Sequence, residues 1–412
     1  MATPEAIRDE VLAWFANTWE PERPLIEWRR LLLDAGWAVP SWPHRWFGRD
    51  LPAWADRLVH ETIRDAGGVA VPLGGGMGLA APTILEHGSD DLKRRLLAPT
   101  ITGEMRWCQL FSEPGAGSDL AGLSTTAVRD GDDWLISGQK VWNTSAHHAE
   151  MGMLLARTSW DVPKHQGITY FALPMHQRGV DVRPIRQMNH HASFNEVFLD
   201  ECRVPVANVI GAVGDGWRVA RATLMHERTF ATMRRVDPPP RPWGRNVREA
   251  MAESEEHERT YAWYPQRAGR ADLLVERARA RALAGDPTVR QAIVDALGFQ
   301  RASEWTAARA KRARQLGKPP GPEGSLGKLA ASELARRSHR AHTMIAGADA
   351  IAWTGDDPTA RTVVEVLLST PAQSIAGGTD EIQRNIIGEN ILGLPREPAV
   401  DRGIPFRDVP RS

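Results

Sequence analysis

A run of small residues, Gly115-Ala116-Gly117-Ser118-Asp119, follows the apolar stretch Trp107 to Phe111 across Ser112-Glu113-Pro114. Glycine lets a backbone come close to a ligand, and exposed amides and hydroxyls in such a loop hold phosphate or a flat polar ring. Taken alone, the same segment is equally a plain turn. A second candidate lies further on, where Ala220, Leu224, Glu227 and Ala231 recur every three or four residues. On a helix that spacing sets the Glu227 carboxylate on a face shared with apolar side chains. A carboxylate drawn out of water gains proton affinity and becomes a useful base. Other reactive types fit chemistry less well. His147-His148 and His190-His191 are adjacent pairs, which point apart on a strand and lack metal-ligand spacing, so no metal is expected. Cys108 sits inside an apolar run and reads as packing rather than as a nucleophile.

The elements around these residues change texture twice. Apolar spacing of three and four predicts helices over Ile7 to Phe15, Ile26 to Leu33, Trp54 to Ile63, Thr83 to His87 and Asp91 to Leu97. The run Gly74 to Gly78 lacks the strand–turn–helix setting of a dinucleotide fingerprint and reads as tight helix packing or a flexible turn. From Met105 the period becomes two. Thr125 to Arg129, Asp130-Gly131 and Trp134 to Ile136 predict a hairpin, and Met151 to Arg157, Gly167 to Leu173, Val180 to Gln187 and Glu196 to Asp200 predict further strands. After Asp215 helices return over Gly216 to Arg235, Ala271 to Ala284, Thr288 to Gln315 and Lys328 to Ala346, with a last one after Gly377-Gly378-Thr379. The expected fold class is α+β multidomain: an N-terminal α-helical domain (1–104), a central antiparallel β-barrel or sandwich (105–212) and a C-terminal helical bundle (213–412). The bundle carries a polar, proline-opened insertion near 237–270, which reads either as cover for a pocket or interface or as a disordered surface loop.

Composition narrows the function classes. Lys plus Arg and Asp plus Glu are each 51, so no global charge favours nucleic acid or a membrane surface. Two cysteines exclude a disulfide framework and fit a reducing cytoplasm. No signal-peptide run opens the chain and no apolar segment is long enough for a bilayer span, so a cytoplasmic protein is expected. Tryptophan is abundant at 16, and seven of these precede Pro82, where they suit broad helical packing faces or a pocket lining.

Three segments together resemble the acyl-CoA dehydrogenase family, and the likeness covers nearly the whole chain. Phe111 to Asp119 is similar to the family's acyl-CoA- and flavin-contacting strand and loop, Gly138 to Thr144 to its second flavin element, and Gly377 to Asn385 to its terminal flavin turn and helix. Trp42-Pro43, Gly321 to Ser325 and Gly393 to Glu397 resemble an actinobacterial branch of fatty-acid or sterol side-chain type. The resemblance implies FAD-dependent α,β-dehydrogenation of an acyl-CoA thioester, in which a carboxylate removes the α-proton and flavin N5 accepts the β-hydride. It places Gln109, Phe111, Ser112, Gly117, Ser118, Trp142, Thr144, Gly378, Thr379 and Glu381 at the FAD, with Ser118 also near the acyl-CoA. Many members carry their base just before the Gly-Thr pair, where this chain has Gly377. Another branch carries it in a Leu-x-x-Glu-Arg pattern on the first helix after the β domain, matched by Leu224 to Arg228. Glu227 is thus the expected base, Arg228 a catalytic and substrate-side organiser, and Asp380 a weaker candidate that caps the last helix. The implied partners are acyl-CoA, an electron-transfer flavoprotein as electron acceptor, and either identical subunits or a related chain in a mixed tetramer. The segments nearest to the family's cross-subunit FAD contacts, Arg312 to Gly317 and His342 to Gly347, match poorly. A non-catalytic or half-site partner subunit is therefore the alternative function.

Overall fold

The computed structural model describes residues 3–230, 239–240, 243–316, 321–351, 358–396 and 398–410, apart from the side chains of 228–230, 314–315 and 358–359. They form two compact units, Met1–Ile185 with Ala192–Thr260 and Val400–Ser412, and Arg186–His191 with Tyr261–Ala399.

The first unit opens with helices α1 (Pro4–Thr18), α2 (Leu25–Asp34), α3 (Trp54–Asp65), α4 (Ala81–His87) and α5 (Asp90–Thr102). Hydroxyl caps fix two of the starts: Thr3 accepts from the Ala6 amide at 3.3 Å and Ser89 from the Leu92 amide at 3.1 Å. Period-3.6 spacing buries Ile7, Val11 and Phe15 on α1 and Val59 and Ile63 on α3. Tryptophan fills the seams between helices. Trp28 is fully buried, its Nε1 donates to the Val69 carbonyl at 2.7 Å, and Trp19 meets it edge-on at 4.7 Å. A large ring is buried without loss when its one polar atom finds a partner. Gly75 and Gly76 enter the π-type turn Gly76–Ala80, where a Cβ would come within 3.2 Å of the Trp107 carbonyl and 3.3 Å of Thr100. The glycine run is close packing.

Strands β1 (Trp107–Leu110), β2 (Thr126–Asp130), β3 (Asp133–Thr144), β4 (Met151–Arg157), β5 (Ile168–Pro174), β6 (Val180–Ile185) and β7 (Phe194–Pro205) make one sheet. Its order is β1-β4-β2-β3-β7-β6, with β5 paired to β4. The expected antiparallel pairing holds for most of it, but β1 runs parallel to β4, and β2 meets β4 in parallel at Thr126 and Arg157. Parallel neighbours need a long crossover, and residues 111–150, carrying the glycine loop and the β2–β3 hairpin, supply one. Two register shifts between β3 and β7 bend the sheet.

Helix α6 (Gly216–Phe230) follows, and residues 231–235 of the expected longer helix lie outside the described residues. Its start fits against β5 because Gly216 has no side chain; a Cβ there would sit 2.6 Å from Thr169. Part of the insertion is regular: α7 (Arg245–Thr260) lies along α2. Glu249 accepts from the Leu25 amide at 2.8 Å at the start of α2, and Glu253 holds Arg29 at 2.6 and 3.0 Å.

The second unit is helical: α8 (Tyr264–Arg267), α9 (Leu274–Ala280), α10 (Pro287–Gln315), α11 (Glu323–Ala346), α12 (Pro358–Ser369), α13 (Pro371–Ile375) and α14 (Asp380–Asn390). Helix α9 stops short of the expected Ala284, and Ala282 turns left-handed at φ +57°. Helices α9 and α10 share a core of Leu274, Ala278, Val289, Ile293 and Ala296 with Ala341 and Ile345 of α11. The loop 186–191 is anchored here, where Asn189 reaches Ser369 at 3.0 Å and His191 reaches Glu365 at 2.6 Å. Among the described residues no helix is long and apolar enough to cross a membrane.

Candidate functional site

The glycine loop hangs from a buried ion pair. Lys140 Nζ on β3 lies 2.7 Å from Glu113 Oε1 and donates to the Phe111 carbonyl at 3.1 Å. Glu113 also accepts from the amides of Ser124 at 2.7 Å and Thr125 at 2.9 Å, and from the Ser124 hydroxyl at 3.0 Å. Burial alone would raise the Glu113 carboxyl, but the Lys140 ammonium and the donors at Thr125 and Ser124 outweigh it and hold it down at about 2. Glu113 and Ala116 exchange backbone bonds at 3.0 and 3.1 Å, closing a tight turn whose outer side carries Gly115, Gly117 and Ser118. A Cβ on either glycine would meet nothing within 4 Å. Neither crowding within the chain nor a left-handed φ demands glycine there, so both leave their backbone open to a ligand.

The end of β3 is zipped to this loop. The Val141 amide donates to the Ser112 carbonyl at 2.9 Å, and Asn143 Nδ2 donates to the Gln109 carbonyl at 2.8 Å. Between the pairs Lys140–Val197 and Asn143–Asn195, β3 advances by one more residue than β7. The extra residue lets Trp142 take the left-handed φ of +63° and turn its indole outward, 57% exposed and edge-on to Phe194 at 5.8 Å. A bulky side chain in that region costs on the order of 1–3 kcal/mol, held here by the bonds on either side. Thr144 and Gln109 are half-buried, and Ser118 is exposed. Phe111 goes the other way, 3% exposed with its ring edge-on to Tyr170 at 5.7 Å.

Tyr170 leads to the helix of Glu227. Its hydroxyl lies 3.2 Å from the Thr223 hydroxyl of α6, which in turn lies 2.9 Å from that of Thr83 on α4. Val219, Ala220 and Thr223 are fully buried, and Glu227, one turn beyond Thr223, is half-buried while Met225 faces solvent. His226 Nε2 stands 3.1 Å from Glu86, tying α6 to α4. The side chain of Arg228 lies outside the described residues.

The turn before α14 belongs to the second unit. Gly377 and Gly378 have φ of +71° and +85°, and a Cβ on Gly378 would strike Gln383 Nε2 at 2.7 Å. Thr379, not Asp380, caps α14, accepting from the Ile382 amide at 3.3 Å. Asp380 is instead locked by Lys328 at 3.1 Å and Arg336 at 2.8 Å. Burial opposes ionisation of Asp380, yet Arg336, Ser332 and Lys328 together hold its carboxyl far below the usual range. Such a weak base is unsuited to carbon acids. Glu381 is exposed, 3.4 Å from Arg384. His147 and His148 form a 3-10 turn with rings 3.9 Å apart rather than diverging on a strand. Cys108 is buried against Met175, and burial pushes its thiol up to about 12, so it packs.

Family comparisons match this layout. Models of the acyl-CoA dehydrogenase N-terminal, middle and C-terminal domains fit residues 2–104, 108–202 and 266–392. Acyl-CoA dehydrogenase IpdE1 of Mycobacterium tuberculosis is 36% identical over 90% of this chain and 88% of its own length. The chain belongs to the acyl-CoA dehydrogenase family. Acyl-CoA dehydrogenase FadE34 of the same organism is 38% identical over 89% of this chain, which spans only about half (46%) of that relative's length. The ChsE4–ChsE5 complex of M. tuberculosis superposes with a TM-score of 0.63 at 26% identity, covering 96% of this chain and 99% of that one. These relatives place the chain in the actinobacterial branch.

As a family member it is a flavoprotein oxidoreductase with FAD as cofactor. The residues fit that group: an outward indole offers a flat face, the glycine loop offers backbone donors, and the buried side-chain oxygen of Asn143 has no hydrogen-bond partner among the described residues. Sequence reasoning had no roles for Glu113, Lys140, Tyr170 and Thr223. A signal for the first two was present, since Glu113 and Lys140 stand as an acid and a base within two separate flavin motifs.

Proposed function

We propose that this chain is an acyl-CoA dehydrogenase in which Glu227 removes the α-proton of the thioester substrate. One observation carries the reading: Glu227 extends the face of α6 whose preceding turn is buried and bonded through Tyr170 to the Phe111 strand. A carboxylate at that position is the proton acceptor this reading requires. Gly377 has no side chain to serve, and Asp380 is held as a poor base by its cations. FAD, when bound, supplies the hydride acceptor.

Within the chain, Trp142 and Thr144 would present a ring face and a hydroxyl to the isoalloxazine, Gln109, Ser112 and the backbone of Phe111, whose ring is buried against Tyr170, would line its edge, and Gly117 and Ser118 would offer an amide and a hydroxyl on the phosphate and thioester side. Gly378, Thr379 and Glu381 of the terminal turn would contact a FAD, and Arg228 would organise substrate-side charge. Donors aimed at the thioester oxygen stabilise its developing enolate charge.

The experiment is anaerobic flavin bleaching with a panel of straight-chain, branched and sterol side-chain acyl-CoAs. Glu227→Gln should keep bound FAD and lose on the order of a hundredfold or more in bleaching rate. Normal turnover in that variant sinks the assignment. A mixed assembly is the second reading, supported by the imperfect Arg312 to Gly317 and His342 to Gly347 segments and by a structural relative described as a two-chain complex. Full FAD occupancy and activity of the chain purified alone would exclude the need for a related subunit. An electron-transfer flavoprotein is the proposed electron acceptor, tested by its reduction in the same assay.

A further inference from the structure

The chain returns to its first unit after the helical bundle, and residues 400–410 dock beside the glycine loop. Phe406 is 6% exposed; its amide donates to the Val162 carbonyl at 2.9 Å, and the Arg407 amide donates to that of Trp160 at 3.0 Å. The Phe406 ring lies 3.5 Å from the Arg157 guanidinium carbon and 5.3 Å from the Trp160 ring. Arg157 is 1% exposed and donates to the carbonyls of Ala121 at 2.7 Å, Leu123 at 3.0 Å and Lys164 at 3.1 Å. Lys164 bridges both sides, bonding Asp119 at 2.8 and 2.9 Å and Asp401 at 2.5 Å.

Each of these contacts points to one segment. Glu113 pins the loop at its entry and at Ser124–Thr125. Between those anchors, Asp119 to Leu123 takes its shape from Lys164 and Arg157. A buried guanidinium keeps its carbonyl bonds only while water stays off it, and an aromatic ring over its face provides that cover with attraction of its own. The tail supplies the ring and the second carboxylate on Lys164.

We infer that Asp401 to Arg407 is a strap that positions Gly117 to Leu123, with Phe406 and Asp401 as positioning residues acting through Arg157 and Lys164. What the positioned loop binds rests on the function proposed above; that the strap orders the loop does not. Losing the strap frees the Ser118 hydroxyl and Gly117 amide from one geometry, and cofactor affinity falls without any contact from the tail itself.

The test measures amide hydrogen exchange over 117–124 and FAD affinity in the full-length holoprotein, for Phe406→Ala, Asp401→Asn and Phe406→Trp. Phe406→Ala should speed exchange in that segment and weaken FAD binding, each by about five- to tenfold, and Phe406→Trp should restore both. Should Phe406→Ala not fold, Asp401→Asn carries the test with a smaller rise of about two- to threefold. Unchanged exchange over 117–124 overturns the strap; raised exchange with unaltered FAD affinity upholds the strap and overturns the loop's part in holding the cofactor. Failure of the enzymatic reading would appear separately, as absence of flavin bleaching by acyl-CoA in the unaltered protein.

Discussion

The glycine turn at 113–118 and the one at 377–380 each hang from a carboxylate held by cationic side chains, Lys140 in the first and Lys328 with Arg336 in the second, yet water treats them differently. In the first, the Glu113 and Lys140 side chains are 5% and 0% exposed, and two backbone amides complete the carboxylate's shell. In the second, Asp380 is equally covered at 5%, but Lys328 is 14% and Arg336 47% exposed. A pair sealed from water leaves a bare charge when one member goes; a pair at the surface leaves a charge that water solvates. The first turn therefore behaves as part of the β-domain core, while the second can yield locally. Rigid backbone suits a loop that holds a ligand through its amides.

Removing Lys140 should test this most severely. Lys140→Met strands Glu113 in the core and should cost about 3–5 kcal/mol, read by denaturant unfolding of the first unit. A Glu113→Leu, Lys140→Met double variant should recover only part, because the Ser124 and Thr125 amides then lose their acceptor. Full recovery would mean the pair merely tolerates burial. Acid offers a milder probe of the same contact. The carboxyl of Glu113 is held down at about 2 against 4.5 for the free group, so its stabilisation is complete above 4.5 and lost as pH falls towards 2. The loss is roughly 3 kcal/mol, and Glu113→Gln should flatten the stability profile across that window. An unchanged slope would place the acid sensitivity elsewhere.

Burial on one face writes itself into spacing, so α1, α3, α5 and the β2–β3 hairpin are legible in the order of residues alone, and β4, buried on both faces, as a continuous apolar run. Three things are not. Helix α7 contacts α2 through Glu249 and Glu253, with Asn246 bonding the Glu20 carbonyl before it, and buries little apolar surface beyond Val247, so charge rather than an apolar stripe dominates its sequence. The parallel β1–β4 pairing depends on partners far apart in the chain, which local pattern does not record. The bulge at 140–143 shifts the parity of β3 and turns Trp142 outward, whereas Phe111, likewise read from motifs as a flavin contact, keeps its ring in the core. At the site, motif likeness indicated where ligand-facing residues gather. It said nothing of the ion pair beneath them, because a buried Lys–Glu contact joins segments 27 residues apart.

In the second turn, Asp380→Asn keeps the shape and removes the charge. With Arg336 half in water the expected cost is about 1–2 kcal/mol, less than for Lys140→Met, and the measurement is the shift in melting temperature. A loss as large as that of Lys140→Met would erase the contrast between the two turns.

The smallest effect is expected one residue later. Glu381 is exposed and pairs with an exposed Arg384 at 3.4 Å, a geometry in which salt and side-chain freedom leave almost nothing. Glu381→Gln should leave the melting temperature of the FAD-free protein unchanged. Its neighbour Thr379 keeps the cap on α14, and Asp380 keeps its cations, so the turn itself stays built. Any fall in FAD retention in this variant then reports a contact with the cofactor rather than with the fold. Equal melting temperatures with equal FAD affinity would remove Glu381 from the site and leave the terminal turn contributing through its backbone and Thr379.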